Sequence, residues 1–452
     1  MRGLLTGSGG EPVGAVLNFL GISQPFHGSG CDNADAALQV TLWSFNFLKE
    51  FANDLMTSAG KGGGWVLNLT GLDGQFGLSR SGGRMALTSA GLCGLFKSFR
   101  VEHPALSVRN VDLDLTAPNP LMAGRLIEEL SLDDARYEIG LTAAGRWTLK
   151  LVNTTPHSSQ LGEFPLKSDS VVVVTGGAFG ITCDIALRIA ELSRGTLVLV
   201  GRSPLPEDES DETAGLDVAQ LRQHLIRQRK EAGQPLVPAQ IEQNLKRILK
   251  DRQILANLSS LQATGAKIEY HSLDVRDEET FGELLDGVYR RFGRIDGVIH
   301  GAGVIEDKLM RDKTPQSYSN VFSTKVASAL VLAKRLRPES LKFLVFFSSV
   351  SGRFGNNGQS DYSAANEFLN KLADDLDRKW SARVVAVNWG AWDAGMVSDE
   401  LRKMYASRNI HLIPVPDGVR FLEQELRLTG HREPEVTIAC SVPQLAKLVA
   451  GN

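Results

Sequence analysis

Cysteine is scarce in this chain: 452 residues hold four, Cys31, Cys93, Cys183 and Cys440, far apart and in no CxxC pair. No histidine lies near them at ligand spacing. This argues against a metal site and a disulfide framework, and it predicts reduced thiols in a cytoplasmic setting. Long hydrophobic runs are also missing. The strand-sized Phe343–Phe347 falls well short of the roughly 18 continuous apolar residues of a membrane span. The opening MRGLLTGSGGEPVGAVLNFLG is too rich in Gly and Pro for a signal peptide. Charge of either sign is not in excess, since 49 Lys+Arg against 52 Asp+Glu leave a net charge of −3. That balance gives no footprint for nucleic acid or an anionic membrane. What is plentiful is glycine, with 45 residues, or about a tenth of the chain against a usual share of about 7%. A hydrophobic share of 42% and a charged share of 22% suit an ordinary folded chain.

Apolar runs at 15–19, 65–69 and 108–115 alternate with helical patterns at 38–56 and 90–99, which predicts an α/β sheet. The polar segment 153–170 then reads as a linker, dividing the chain into regions 1–160 and 161–452. Beyond it, strands are predicted at 171–174, 196–200, 267–271, 297–300, 343–347, 384–388 and 436–440. Helical patterns separate most of them, as in a doubly wound parallel sheet. About 65 residues between Val200 and Lys267 exceed one crossover helix and predict a helical insertion at about 204–262. Asp217 caps a first helix with Val218, Leu221, Leu225 and Ile226 on one face. Pro238 opens a second, with Ile241, Leu245, Ile248, Leu255 and Leu258, closed by Gly265. The insertion reads either as a docking or dimer element or as helices packed on their own domain, and the second reading is favoured.

The run Thr175-Gly176-Gly177-Ala178-Phe179-Gly180-Ile181 follows a Val strand and precedes a helical pattern. A glycine turn in that order lets backbone N–H groups approach a pyrophosphate at a helix N-terminus. Enzymes using NADH place Asp or Glu at the end of the next strand, but here stand Gly201-Arg202-Ser203. A guanidinium suits a 2′-phosphate, so NADPH is the expected cofactor, with Arg202 as an ordinary surface arginine the less favoured alternative. Asp274 and Val275 end the third strand and would line the adenine, while Gly301, Ala302 and Gly303 bring backbone close to the cofactor.

The segment 346–352, then Tyr362-Ser363-Ala364-Ala365-Asn366, reads as strand, loop and helix. Tyr362 and Asn366 share a helical face, and Ser349 lies 13 residues before Tyr362 at the mouth of the sheet. Carbonyl reduction needs a hydride donor, a proton donor and a group polarising the carbonyl oxygen. A tyrosine is expected to donate only with its pKa brought below about 10 by a nearby cation.

At these residues the chain resembles the short-chain dehydrogenase/reductase superfamily. Within it, the resemblance is to ketoreductase domains of modular polyketide synthases and of multidomain fatty-acid and polyunsaturated-fatty-acid synthases. The segments carrying it are TGGAFGI (175–181), LVGRS (199–203), LDV (273–275), HGAGVIEDKL (300–309), FSTKV (322–326), FSSVSGRFGNNGQSDYSAANEFL (347–369) and VNWGAWDAGM (387–396). The resemblance implies Lys325 as the cation, Ser349 as carbonyl orienter, Tyr362 as general acid and Asn366 as positioner of the lysine or a water. One departure is Thr182, where the family often has glycine in the phosphate turn. AGLCGLFKSFRVEHPALSVRNVDLDL (90–115) resembles the family's N-terminal structural subdomain, a truncated Rossmann-like fold without cofactor. In agreement, no glycine turn is read there between a strand and a helix.

The resemblance implies a 3-ketoacyl thioester on the phosphopantetheine of an acyl carrier protein as substrate, with other domains of a megasynthase as partners. Ile305-Glu306-Asp307 follows the HGAG segment, and Phe354 stands where a second stereochemical class has Trp; together they imply a D-configured hydroxyl. The bland reading of Asp307 is a pairing with Lys308 or Arg311. Residues 393–415 are expected to form a lid, with Trp392 and Met396 as wall residues. A non-catalytic NADPH-binding scaffold and a free-standing reductase or epimerase are the competing readings. The chain lacks a carrier-protein serine motif, and an excised domain of a larger protein is expected.

Overall fold

The computed structural model describes residues 12–23, 33–79, 86–132, 134, 136–154, 160–206, 209–394, 399–407, 410–430 and 433–440. Cys31 and Met396 lie outside them. The first sheet has five strands in the order β1 (Ala15–Gly21), β2 (Trp65–Thr70), β3 (Ser107–Leu113), β4 (Glu138–Thr142) and β5 (Gly145–Thr148). The first four pair in parallel, and β5 turns back antiparallel on β4. Helices α1 (Ala34–Ala59), α2 (Ala90–Glu102) and α3 (Asn119–Leu130) connect them. The β4–β5 hairpin and α3 are additions to the elements expected from sequence. Residues 24–32 between β1 and α1, Gly28 and Gly30 among them, lie outside the described residues.

The second sheet has seven parallel strands. They are β6 (Val171–Thr175), β7 (Thr196–Gly201), β8 (Lys267–Ser272), β9 (Gly297–His300), β10 (Phe343–Ser349), β11 (Arg383–Trp389) and β12 (Glu435–Ile438). Across the sheet they run β12-β11-β10-β9-β6-β7-β8, so the order reverses between β6 and β9. Ligands of open α/β sheets bind at the carboxyl ends of strands flanking such a reversal. The helices are α4 (Gly180–Ser193), α5 (Val218–Glu231), α6 (Pro238–Ala263), α7 (Glu278–Phe292), α8 (Pro315–Arg335), α9 (Val350–Phe354), α10 (Ser360–Lys379), α11 (Asp399–Ser407) and α12 (Val415–Arg427). Two parallel-stranded Rossmann-like sheets in one α/β chain match the expected fold class.

Local chemistry explains several boundaries. The Val171–Val174 run is buried on both faces, as β-branched residues in a central strand should be. Asp217 closes a capping box with Gln220 at the start of α5, and Asp277 accepts from the Glu279 and Thr280 amides at the start of α7. Pro238 is the first residue of α6. The expected insertion face shifts slightly, since Val218 is exposed and Ile254 and Leu261 are buried in place of Ile248 and Leu255.

The two sheets share one core. Val40, Phe45, Leu92 and Phe96 from the first region pack in one cluster with Phe322, Val326, Ala364 and Phe368 from α8 and α10. Helix α2 lies so close to α10 that a Cβ at Gly94 would stand 2.1 Å from the Ser363 carbonyl oxygen. Ser98 Oγ donates to Ser363 Oγ at 2.7 Å in the same seam. The small residues of AGLCG thus permit backbone contact with the helix that carries Tyr362.

Candidate active site

The turn expected to hold phosphate runs from the end of β6 into α4. Gly176 has φ +75, a conformation natural to glycine, and a Cβ there would meet the Gly301 carbonyl oxygen at 3.1 Å. Phe179 stands at the N-cap of α4 without a side-chain cap bond, so the first-turn N–H groups of Gly180 and Ile181 are left to a ligand. Thr182 is buried against Gly301, where a Cβ would come within 2.5 Å of its Oγ1. The bulk of Thr182 is therefore absorbed by the missing side chain at Gly301.

At the end of β7, Arg202 is exposed and its backbone is fixed: Ser272 Oγ donates to its carbonyl at 3.3 Å, and Tyr270 Oη donates to that of Ser203 at 2.6 Å. Asp274 is held by Arg276 at 2.6 Å. The Arg276 hydrogen bond is the main cause holding its carboxyl below the usual range, with Arg202 contributing a weaker attraction. Val275 is buried. An uncapped helix N-terminus, a glycine cradle and an exposed arginine at the next strand end together fit a phosphorylated dinucleotide.

Lys325 rises from α8 past Gly303, where a Cβ would stand 3.0 Å from its Cε. Its Nζ donates to the Phe347 carbonyl at 2.7 Å and lies 5.5 Å from the Tyr362 ring centroid. Ser349 caps α9, and its Oγ accepts from both the amide and the hydroxyl of Ser351, at 3.2 and 3.0 Å. With two lone pairs engaged, its own O–H is left as a donor. Asn366 donates from Nδ2 to the Tyr362 carbonyl at 2.8 Å, one helical turn back. Its Oδ1 is buried without a protein partner.

Burial pushes the Tyr362 hydroxyl up to about 12, against a smaller lowering by the Asn366 amide, and pulls the Lys325 ammonium down to about 7. The expectation that a cation lowers the tyrosine is not met: burial dominates both groups, and Lys325 is not among the causes acting on Tyr362. The lowering is not needed for donation. An alkoxide is a far stronger base than any phenolate, so a tyrosine with a raised pKa can still protonate one.

Asp307 pairs with neither Lys308 nor Arg311. Gln359 Nε2 donates to both of its oxygens, at 3.1 and 3.0 Å, three residues before Tyr362. Phe354 is buried at the end of α9. Trp392 is placed otherwise than expected: it is buried against Trp389, with ring centroids 4.9 Å apart, and a Cβ at Gly418 would stand 2.2 Å from its ring. It packs beneath the segment rather than lining a cleft.

Several polar residues around the site have no role expected from the sequence. His300 bridges Thr175 Oγ1 at 2.8 Å and the Lys325 carbonyl at 3.2 Å, and burial lowers it to about 3, so it is neutral. Lys313 makes a buried ion pair of 2.7 Å with Asp361, which also accepts from the Tyr362 amide. Glu102 of α2 accepts from the amides of Met310 and Gly358, joining the Asp307 loop to the loop before Tyr362. Below these, Glu138 of β4 takes a bidentate pair from Arg353 at 2.9 and 2.8 Å. Lys97 of α2 lies 2.9 Å from Glu138 and 3.0 Å from Glu367 of α10. Of these, Lys97 and Glu138 show in the sequence as charges inside largely apolar segments, and the other charged residues sit in polar stretches.

Comparison with known proteins names this arrangement. Residues 170–394 match the KR domain family. The chain belongs to that family, the KR domains of modular polyketide and polyunsaturated fatty acid synthases. Its sequence is similar to a polyunsaturated fatty acid synthase component from Thraustochytrium sp., at 31% identity over 390 residues covering 82% of this chain and 14% of that protein. It is also similar to polyketide synthase PksN of Bacillus subtilis, at 27% identity over 350 residues covering 75% of this chain and 5% of that protein. The chain thus spans a small part of these relatives. Among solved structures, a ketoreductase domain from the bacillaene assembly line superposes with a TM-score of 0.69 at 22% identity, covering 94% of this chain and 88% of that one. An A1-type ketoreductase gives 0.73 at 20% identity, covering 98% and 81%. These two likenesses speak to the fold. Among the described residues, no helix is long and apolar enough to cross a membrane.

Proposed function

We propose that this KR domain reduces a 3-ketoacyl thioester, carried on the phosphopantetheine of an acyl carrier protein, to the 3-hydroxyacyl thioester with NADPH. We read residues 1–160 as the structural subdomain and 161–452 as the catalytic one. The observation that carries the reading is the convergence of Lys325, Ser349 and Tyr362 at the carboxyl end of β10. Lys325 is bonded to the carbonyl two residues before Ser349 and lies 5.5 Å from the Tyr362 ring.

NADPH, when bound, supplies the hydride that goes to the substrate C3 carbonyl carbon. Ser349 donates its O–H to the ketone oxygen and polarises it. Tyr362 donates its phenolic proton to the same oxygen as negative charge develops there, leaving a phenolate. Lys325 in its ammonium form stabilises that phenolate across the short separation. Asn366 fixes the turn of α10 that presents Tyr362, and its unpartnered Oδ1 is an acceptor for a water or for the lysine. Gly176, Gly177, Gly180 and the uncapped start of α4 would hold the diphosphate, with Arg202 and Ser203 at the 2′-phosphate.

A D-configured product is the stereochemical reading, supported by Asp307 and its bonds to Gln359 beside the catalytic tyrosine. The carrier protein and the neighbouring synthase domains are proposed from the multidomain relatives. The test is NADPH absorbance in the presence of a 3-ketoacyl N-acetylcysteamine thioester, with chiral chromatography of the product. Consumption of NADPH with formation of the D-alcohol is expected. Bound nucleotide without consumption would overturn the reading and leave a scaffold.

A further inference from the structure

The detour between β7 and β8 is anchored at two points, the end of β7 and the glycine turn. The first half of α6 packs on α5 in a small core of its own, with Leu221 and Leu225 against Ile241 and Leu245. Its second half enters the main core through Ile254, Leu258 and Leu261, beside Val174, Ala178 and Leu199. The loop leading into α5 is pinned by Arg252, which donates to Glu209 at 2.8 Å and to the Thr213 and Leu216 carbonyls at 2.7 Å each. The hairpin is therefore seated on the sheet rather than free.

On the face between these contacts, Lys250 Nζ donates to Ser203 Oγ at 2.8 Å, and Asn257 Nδ2 donates to the Ala178 carbonyl at 3.0 Å. Residues 250 and 257 are two turns apart, so they lie on one side of α6 and about 10 Å apart along its axis. That spacing joins the two segments expected to hold a phosphorylated dinucleotide: Arg202-Ser203 at the end of β7, and the glycine turn before α4. The carbonyls of residues 202 and 203 are already bonded to Ser272 and Tyr270, which leaves the donors of this segment, its side chains among them, for a ligand.

We propose that α6 is part of the cofactor site: Lys250 is a second cation for the 2′-phosphate beside Arg202, and Asn257 is a positioning residue for the diphosphate turn. This rests on the NADPH reading and extends it to the insertion. A phosphate monoester carries close to two negative charges near neutral pH, and two cations with a hydroxyl between them match it better than one arginine does. Because Lys250 and Arg202 are exposed, the preference should weaken with added salt.

Isothermal titration calorimetry of the whole chain with NADP+ and with NAD+ tests this without turnover, since the two ligands differ only in the 2′-phosphate. The wild type is expected to prefer NADP+. Lys250→Met should cut the affinity for NADP+ by roughly tenfold while leaving NAD+ unchanged, and Lys250→Arg should restore the preference. Asn257→Leu should weaken both ligands by a similar factor, since both carry the diphosphate. The ratio between two ligands on one variant is insensitive to a partly unfolded sample. A Lys250→Met variant with the wild-type ratio would overturn the cation role alone, and unchanged affinities in Asn257→Leu would overturn the positioning role. A wild type without preference would overturn both the NADPH reading and the role of Lys250.

Discussion

The two sheets of this chain use the same parallel-stranded frame and differ in what happens at the carboxyl ends of their strands. In the five-stranded sheet, Asp112 near the end of β3 accepts from Thr70 Oγ1, the Leu72 amide, the Asp73 amide and the Phe76 amide, at 2.8, 2.7, 3.2 and 2.8 Å. Its acceptor capacity is spent on closing the loop that follows β2. In the seven-stranded sheet the start of α4 has no side-chain cap, and Ser349 keeps its O–H as a donor. A Rossmann-like frame acquires a site where strand-end polar groups are left to a ligand, and it becomes a support where they are satisfied internally.

The support is joined to the site through buried charge, and the largest predicted effect attacks that joint. Glu138→Ala leaves Arg353 and Lys97 buried without their shared carboxylate, which should cost about 3–5 kcal/mol in urea unfolding and lower turnover as α10 loosens. An unchanged unfolding midpoint would detach the first sheet from the account. Next, Gly94→Ala inserts a methyl group 2.1 Å from the Ser363 carbonyl oxygen. It should cost about 1–3 kcal/mol and reduce kcat more than it raises KM for NADPH, because the displaced helix carries Tyr362 and not the phosphate turn. Asp112→Asn separates the sheets from the other side. Losing acceptors for buried donors should cost about 1–3 kcal/mol in thermal unfolding while leaving NADPH affinity unchanged; a matching loss of affinity would give the first sheet a direct role in binding.

The smallest effect is a titration. Burial lowers Lys325 to about 7, so its ammonium form, the one proposed to stabilise a Tyr362 phenolate, predominates below that pH and is lost above it. Between pH 7 and 8, kcat/KM should fall about fivefold, equivalent to about 1 kcal/mol. Tyr362, raised to about 12, stays protonated throughout that range. A profile flat from pH 6 to 9 would show that the charge on Lys325 does not limit the reaction.

Much of this arrangement is legible in the residues because its signals are local. The Val171–Val174 run, the caps at Asp217 and Asp277 and the proline at 238 mark elements by their own chemistry, and the strand-turn-helix order of 171–192 marks the phosphate turn. Tyr362 and Asn366 meet through the helical repeat alone. Lys325 requires the family resemblance, because nothing near it in sequence says that it turns toward β10. The β4–β5 hairpin is illegible because its strands have five and four residues and carry Glu138 and Arg146. Glu138 becomes a buried partner only when Arg353, 215 residues away, folds onto it. Trp392 is misplaced for a related reason: a large aromatic at the start of a long connecting segment suits a cleft wall, and only the fold brings Gly418 against its ring.

The central claim is that the carboxyl end of β10 and the start of α10 perform proton donation to a reduced ketone. The most direct test compares wild type with Tyr362→Phe, following NADPH oxidation with a 3-ketoacyl thioester and NADPH binding by fluorescence on the same samples. Binding should be unchanged and turnover should fall by about 10²–10⁴-fold. Turnover within a few fold of wild type in the phenylalanine variant would contradict the claim.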